Sequence, residues 1–138
     1  ISRVLKVGGH ALIDRGSNPT KAMRELGAFA RRSGAAGFWP SLFPEGTRSK
    51  DGSLGKFHAA GLRRIADLAP APLLVVAVDG GYKATKLSSL LSGSVGFEYR
   101  VKALGLVELV PGKKGVQDAL EAARTLIAGQ LEAWRAEA

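Results

Sequence analysis

Cysteine is absent from all 138 residues, which excludes a disulfide scaffold and any thiolate metal site. Histidine is scarce: His10 and His58 are the only two, too few to build a zinc site without carboxylate help, and no metal is expected. Aromatic residues make up 7% of the chain and do not interleave with basic residues as a base-stacking platform requires. No long apolar run occurs. The longest stretch free of charge and strong polarity, Leu68 to Val78, spans eleven residues and is interrupted by Pro70 and Pro72, too short to cross a bilayer. No basic segment followed by an apolar run opens the chain, so no secretory signal is visible in it. Met23 is the single methionine and Ile1 stands first, so the chain is expected to be cut from a longer protein.

What remains is a folded composition with a strong charge bias. With 46% hydrophobic and 23% charged residues the chain can bury a core, which removes it from the disordered class. Its length fits one domain, residues 1–138. Twenty basic against twelve acidic side chains give a net charge of +8. Residues 1–69 hold twelve basic and five acidic residues, and residues 70–138 hold eight and seven, so the positive field belongs to the first half. Such a field favours an anionic partner: a phosphate ligand, an acidic lipid surface or nucleic acid.

The apolar pattern predicts an alternation of strands and helices. His10–Asp14 reads as a short strand ended by Asp14 and Arg15. A helix comes next, capped by Ser17 or Asn18 with Pro19 at its first position, carrying Ala22, Leu26, Phe29 and Ala30 to a stop at Ser33-Gly34. Gly37–Phe43 reads as a second strand, Ala59–Leu68 as a helix, and Leu73–Val78 as a strand buried on both faces, the kind found in parallel sheets. Residues 82–94 lack periodicity and read as a surface loop or short helix. Gly96–Val110 alternates like a half-exposed strand, bent near Gly105, and from Val116 the chain is helical, with Leu120, Ala123, Ile127, Leu131 and Trp134 on one face. The expected fold class is α/β: one domain, a mostly parallel sheet flanked by helices, truncated at its N-terminus.

Several motifs fail on inspection. Gly55-Lys56 lacks the glycine and the hydroxyl residue of a phosphate-binding P-loop, and no Gly-x-Gly-x-x-Gly stands after a strand. His10 and Asp14 would lie about 13 Å apart along a strand, too far to share a proton. The informative segment is Phe43–Ser49, FPEGTRS. Its proline fixes a turn, its glycine permits close backbone approach, and Thr47 and Arg48 supply donors, which makes an anion cradle; a polar turn closed by a Glu45–Arg48 salt bridge is the plain alternative.

FPEGTRS resembles, letter for letter, the third conserved block of the glycerolipid acyltransferase family, the 1-acylglycerol-3-phosphate acyltransferases and their glycerol-3-phosphate acyltransferase relatives. Gly8–Arg15 resembles the family's second block. Lys50-Asp51-Gly52 with Gly55–His58 and Ala60-Gly61 is similar to the segment after the third block in bacterial members. Val75–Gly81 resembles the fourth block, with Val75 where the family carries a proline that helps shape the acyl region. The likeness covers roughly residues 5–90.

The resemblance implies transfer of a fatty acyl group from acyl-CoA or acyl carrier protein, as co-substrate and with no other cofactor, to the hydroxyl of a lysophospholipid or glycerol phosphate. It implies an anionic membrane surface as partner, and a place at the cytoplasmic face of the membrane, peripheral or anchored through a missing N-terminal segment. It assigns acceptor binding to Arg15, Glu45, Gly46, Thr47 and Arg48: the two arginines on the phosphate, Glu45 on a hydroxyl or on Arg48, and Gly46 and Thr47 as donors. The family's catalytic His-x-x-x-x-Asp pair has no match: five places after His10 stands Arg15, and five after His58 stands Arg63. No catalytic residue is therefore assigned within the chain, the pair is expected before Ile1, and these 138 residues alone are expected to be inactive. A parallel sheet would place Arg15, Glu45 and Arg48 at one edge around a single phosphate. The alternatives are a non-catalytic lipid-phosphate-binding member of the same fold and, on the sequence pI near 10.2, a basic nucleic-acid-binding module.

Overall fold

The computed structural model describes residues 18–47, 49–84 and 98–137. They form helix α1 (Pro19–Ala35), helix α2 (Ala59–Ala66), strand β1 (Leu73–Asp79), a 3-10 turn (Gly81–Ala84), strand β2 (Arg100–Val107) and helix α3 (Lys113–Ala136).

α1 starts where its local chemistry dictates. The Asn18 side chain accepts a hydrogen bond from the Thr20 amide at 2.9 Å, and Pro19 occupies the first turn, where its missing amide proton is not needed. The buried stripe Ala22, Leu26, Ala30 and Ser33 faces α2. The helix ends in a Schellman arrangement: Gly37 takes a left-handed φ of 69°, the Phe38 amide donates to the Ser33 carbonyl at 2.8 Å and the Gly37 amide to the Gly34 carbonyl at 3.2 Å.

α2 is the hinge of the core. Leu62 and Ala66 pack with Leu109, Val116, Ala119 and Leu120 beneath the sheet, while Ile65 joins Leu26 and Ala30 of α1. Ile65 and Ala66, adjacent on one short helix, thus enter different apolar clusters and tie the two together. The Arg64 guanidinium lies across Gly27 of α1, where an added Cβ would stand 2.9 Å from Nε; that Nε is buried without a hydrogen-bond partner.

The expectation of a mostly parallel sheet is overturned. Among the described residues the sheet has two strands, β1 and β2, and they are antiparallel, from Leu73 opposite Val107 to Asp79 opposite Arg100. The run Leu73–Val78 is a strand, but its unbroken apolar character does not mean burial on both faces. Val75 and Ala77 are 4% and 0% exposed against α3, while Leu74, Val76 and Val78 face outward with Val101 and Leu106 of β2. A continuous apolar run encodes strand formation and is silent on pairing direction, so it is as compatible with this antiparallel ladder as with a parallel one. The bend expected at Gly105 is a bulge: the register shifts between Val75 and Val76, and Gly105 sits at φ 138°.

Gly37–Phe43 is not a strand. Its Pro40 removes one ladder donor, the Phe38 amide is spent on the α1 terminus, and no described strand lies alongside it. The expected strand at His10–Asp14 and most of residues 82–94 lie outside the described residues, apart from the 3-10 turn. α3 begins at Lys113, a turn earlier than the apolar pattern predicts, and buries Val116, Ala119, Leu120, Ala123 and Leu131. It is fastened to β2 by Lys102 Nζ donating to Gln130 Oε1 at 2.8 Å and by Arg100 Nη1 donating to the Trp134 carbonyl at 3.2 Å. Glu98 pairs with Arg100 at 2.7 Å, and its hydrogen bonding holds the guanidinium pKa above the ordinary arginine value.

Candidate functional site

The described residues between Pro44 and His58 form a loop whose two ends meet: the His58 amide donates to the Pro44 carbonyl at 2.8 Å. Pro44 and Gly46 make the turn at its entrance, with the Gly46 amide donating to the Phe43 carbonyl at 3.0 Å and Gly46 at a left-handed φ of 65°. Glu45 braces the interior. Its Oε2 accepts the Gly55 amide at 2.7 Å, a charge-assisted bond across the loop.

The far side is held independently. Ser49 Oγ accepts from the Gly52 amide at 2.8 Å and donates to Asp51 Oδ1 at 3.2 Å. The same Asp51 oxygen accepts the Ser53 hydroxyl at 2.6 Å and the Ser53 amide at 2.9 Å. These bonds, the Ser53 hydroxyl first, hold the Asp51 carboxyl below its ordinary pKa of 3.8. Arg135 of α3 donates to the Gly52 carbonyl at 2.6 Å, and the Tyr82 ring covers the position where a Gly52 Cβ would stand. Gly52 itself is at φ 85°.

The structure thus brings Glu45, Gly46 and Thr47 together and gives them different surroundings. Glu45 is half-buried and turned into the loop; Gly46 and Thr47 are exposed at its rim. Arg15 and Arg48, the two residues expected on a phosphate, lie outside the described residues, so the shared cleft expected of them does too. His58, which carries no catalytic assignment from the sequence, is exposed at the N-cap of α2 with its ring beside Gly46, Cδ2 lying 3.8 Å from the position a Gly46 Cβ would take. No local signal reports that proximity, because it depends on the Pro44–His58 closure.

On the outer flank of the loop's return, a shallow cleft of about 430 Å³ opens between residues 54–57 and α3. Lys56, Arg124 and Glu121 line it together, so its charge is mixed. Among the described residues no group of three or more histidine or acidic side chains could hold a metal ion, and no helix is long and apolar enough to cross a membrane. No family model, curated protein or solved structure matches the chain.

Proposed function

We propose that the chain is the acceptor-binding part of a glycerolipid acyltransferase that moves a fatty acyl group from acyl-CoA or acyl carrier protein to a lysophospholipid or glycerol phosphate. The observation that carries this reading is the FPEGTRS loop itself: it is closed and braced from within by Glu45, with Gly46 and Thr47 turned to solvent. A braced loop with the Thr47 hydroxyl exposed at its rim can offer a donor to an anion without reorganising.

In this reading Arg48 and Arg15 hold the acceptor phosphate bidentately and Thr47 donates to the phosphate or to the oxyanion, while Gly46, whose amide is spent on the Phe43 carbonyl, shapes the turn that presents Thr47. Glu45 acts as a positioning residue, since its carboxylate fixes the loop that carries the others. The reaction further needs a histidine, held by an aspartate, to take the proton from the acceptor hydroxyl as that oxygen attacks the thioester carbonyl and the thiol departs. These 138 residues contain no His-x-x-x-x-Asp. The chain by itself therefore binds acceptor and does not turn it over. The same sequence fact favours, as a second reading, a lipid-phosphate-binding protein that performs no transfer.

The test is transfer of a labelled acyl group from acyl-CoA to lysophosphatidate by the 138-residue chain. No turnover is expected. Turnover abolished by His58→Ala, with the fold intact by circular dichroism, would overturn this division of labour and make the histidine beside Gly46 the base.

A further inference from the structure

The segment between α1 and the FPEGTRS loop carries three large aromatic side chains that the fold leaves in water: Phe38 is 71% exposed, Trp39 58% and Phe43 73%. Phe38 comes directly after the glycine that ends α1, a place where the chain commonly folds an apolar side chain back onto the third residue from the helix end. Here that residue is Ser33, which offers no apolar contact, so Phe38 and Trp39 are held outward by a well-bonded turn. Arg31 and Arg32, both exposed, stand near the C-terminal end of the same helix, Arg32 on its last turn and next in sequence to Ser33, whose carbonyl anchors Phe38. Of the two acids among residues 18–47, Glu25 is half-buried and Glu45 is bonded to Gly55.

We propose that the turn at Phe38–Trp39, with Arg31 and Arg32, docks the protein on an anionic phospholipid bilayer. The amphipathic indole of Trp39 and the Phe38 ring enter the headgroup region, and the two guanidinium groups meet the lipid phosphates and carboxylates. Charge complementarity selects this occupant over a neutral apolar partner, because two exposed cations stand on the helix that leads into the aromatic tip, while of the two acids among residues 18–47 Glu45 is bonded to Gly55 and Glu25 is half-buried. The inference rests on the membrane-surface part of the proposed function and supplies the element that makes the contact. It also sets the FPEGTRS loop a few residues from the lipid surface, where a lysophospholipid headgroup resides.

The experiment titrates the 138-residue protein with vesicles of phosphatidylcholine alone and with about one-third phosphatidylserine. Trp134→Phe leaves Trp39 as the sole indole emitter, and sedimentation measures bound protein. Expected are binding to the phosphatidylserine vesicles with a blue shift of Trp39 emission, and a roughly fivefold loss of partitioning for each of Arg31→Ala and Arg32→Ala. The pair Phe38→Ser with Trp39→Ser, both at exposed positions and checked by circular dichroism, should lower partitioning at least about tenfold. Absence of binding, binding with unshifted Trp39 emission, equal binding to phosphatidylcholine alone, or a lipid-free oligomer that shields Trp39 each overturns the proposal. Binding of water-soluble glycerol phosphate is measured separately, so the failure of membrane docking and the failure of the acceptor reading are told apart.

Discussion

The Glu45 carboxylate and the Gly55 amide, ten residues apart in the chain, meet at 2.7 Å and divide the loop of residues 44–58 into two braced halves. Glu45→Ala removes the acceptor and leaves a half-buried amide unpaired, which should lower stability by about 1–2 kcal/mol. Hydrogen exchange at the Gly55 amide should accelerate more than elsewhere. Glu45→Gln keeps a carbonyl acceptor and should recover part of the loss. If Gln and Ala variants exchanged alike at Gly55, the brace would be of no consequence.

Gly52 is constrained twice, by its left-handed φ and by the Tyr82 ring, whose Cε1 would lie 2.7 Å from an added Cβ. Gly52→Ala should therefore destabilise the protein by roughly 1–3 kcal/mol, measured as a shifted denaturant midpoint with unchanged slope. Removing the ring with Tyr82→Ala should relieve only part of this, because the backbone strain persists. A Gly52→Ala protein as stable as the parent would contradict the loop geometry.

Gly27 and Arg64 should be coupled. Alanine in a helix interior is favoured over glycine by about 1 kcal/mol, yet at position 27 its Cβ meets the guanidinium at 2.9–3.0 Å and Leu68 Cδ1 at 3.1 Å. Gly27→Ala should then be neutral or destabilising in the parent and stabilising in an Arg64→Ala background, with a coupling of about 1 kcal/mol in a double-mutant cycle. Equal effects in both backgrounds would show that Arg64 does not lie over Gly27 in solution.

Asp51 should titrate below 3.8, with the Ser53 hydroxyl as the leading cause. Because the folded pKa is depressed, the stabilisation is fully present above the unfolded value and is lost as pH falls through the folded one. Carboxyl resonances tracked through an acid titration should give a midpoint under 3.8, moving upward in Ser53→Ala. A midpoint at or above that value would remove Asp51 as a loop-ordering group.

What can be read from sequence is what is local. Asn18-Pro19 announces α1 because the cap and the fixed proline φ act within one turn, and the stripe of α3 from Leu120 to Trp134 reports its own buried face. Leu73–Val78 declares a strand, but its partner, its direction and its exposed face depend on β2 and α3. Phe38–Phe43 has the apolar content of a strand without a neighbour to pair with, and Pro40 within it is the one local sign against pairing. Within the candidate site, the residue types of FPEGTRS are legible, whereas Glu45 on Gly55, Arg135 on Gly52 and His58 beside Gly46 are contacts made by chain closure.

If the rim of the FPEGTRS loop binds an acceptor phosphate, backbone amide resonances of the 138-residue protein should report it directly while glycerol 3-phosphate is added at constant ionic strength. Expected are saturable shifts concentrated at Gly46, Thr47 and Arg48, abolished by Arg48→Ala and restored only in part by Arg48→Lys, since an ammonium cannot reproduce the bidentate contact. Shifts absent from residues 43–49, or unchanged in Arg48→Ala, would contradict phosphate binding at this loop.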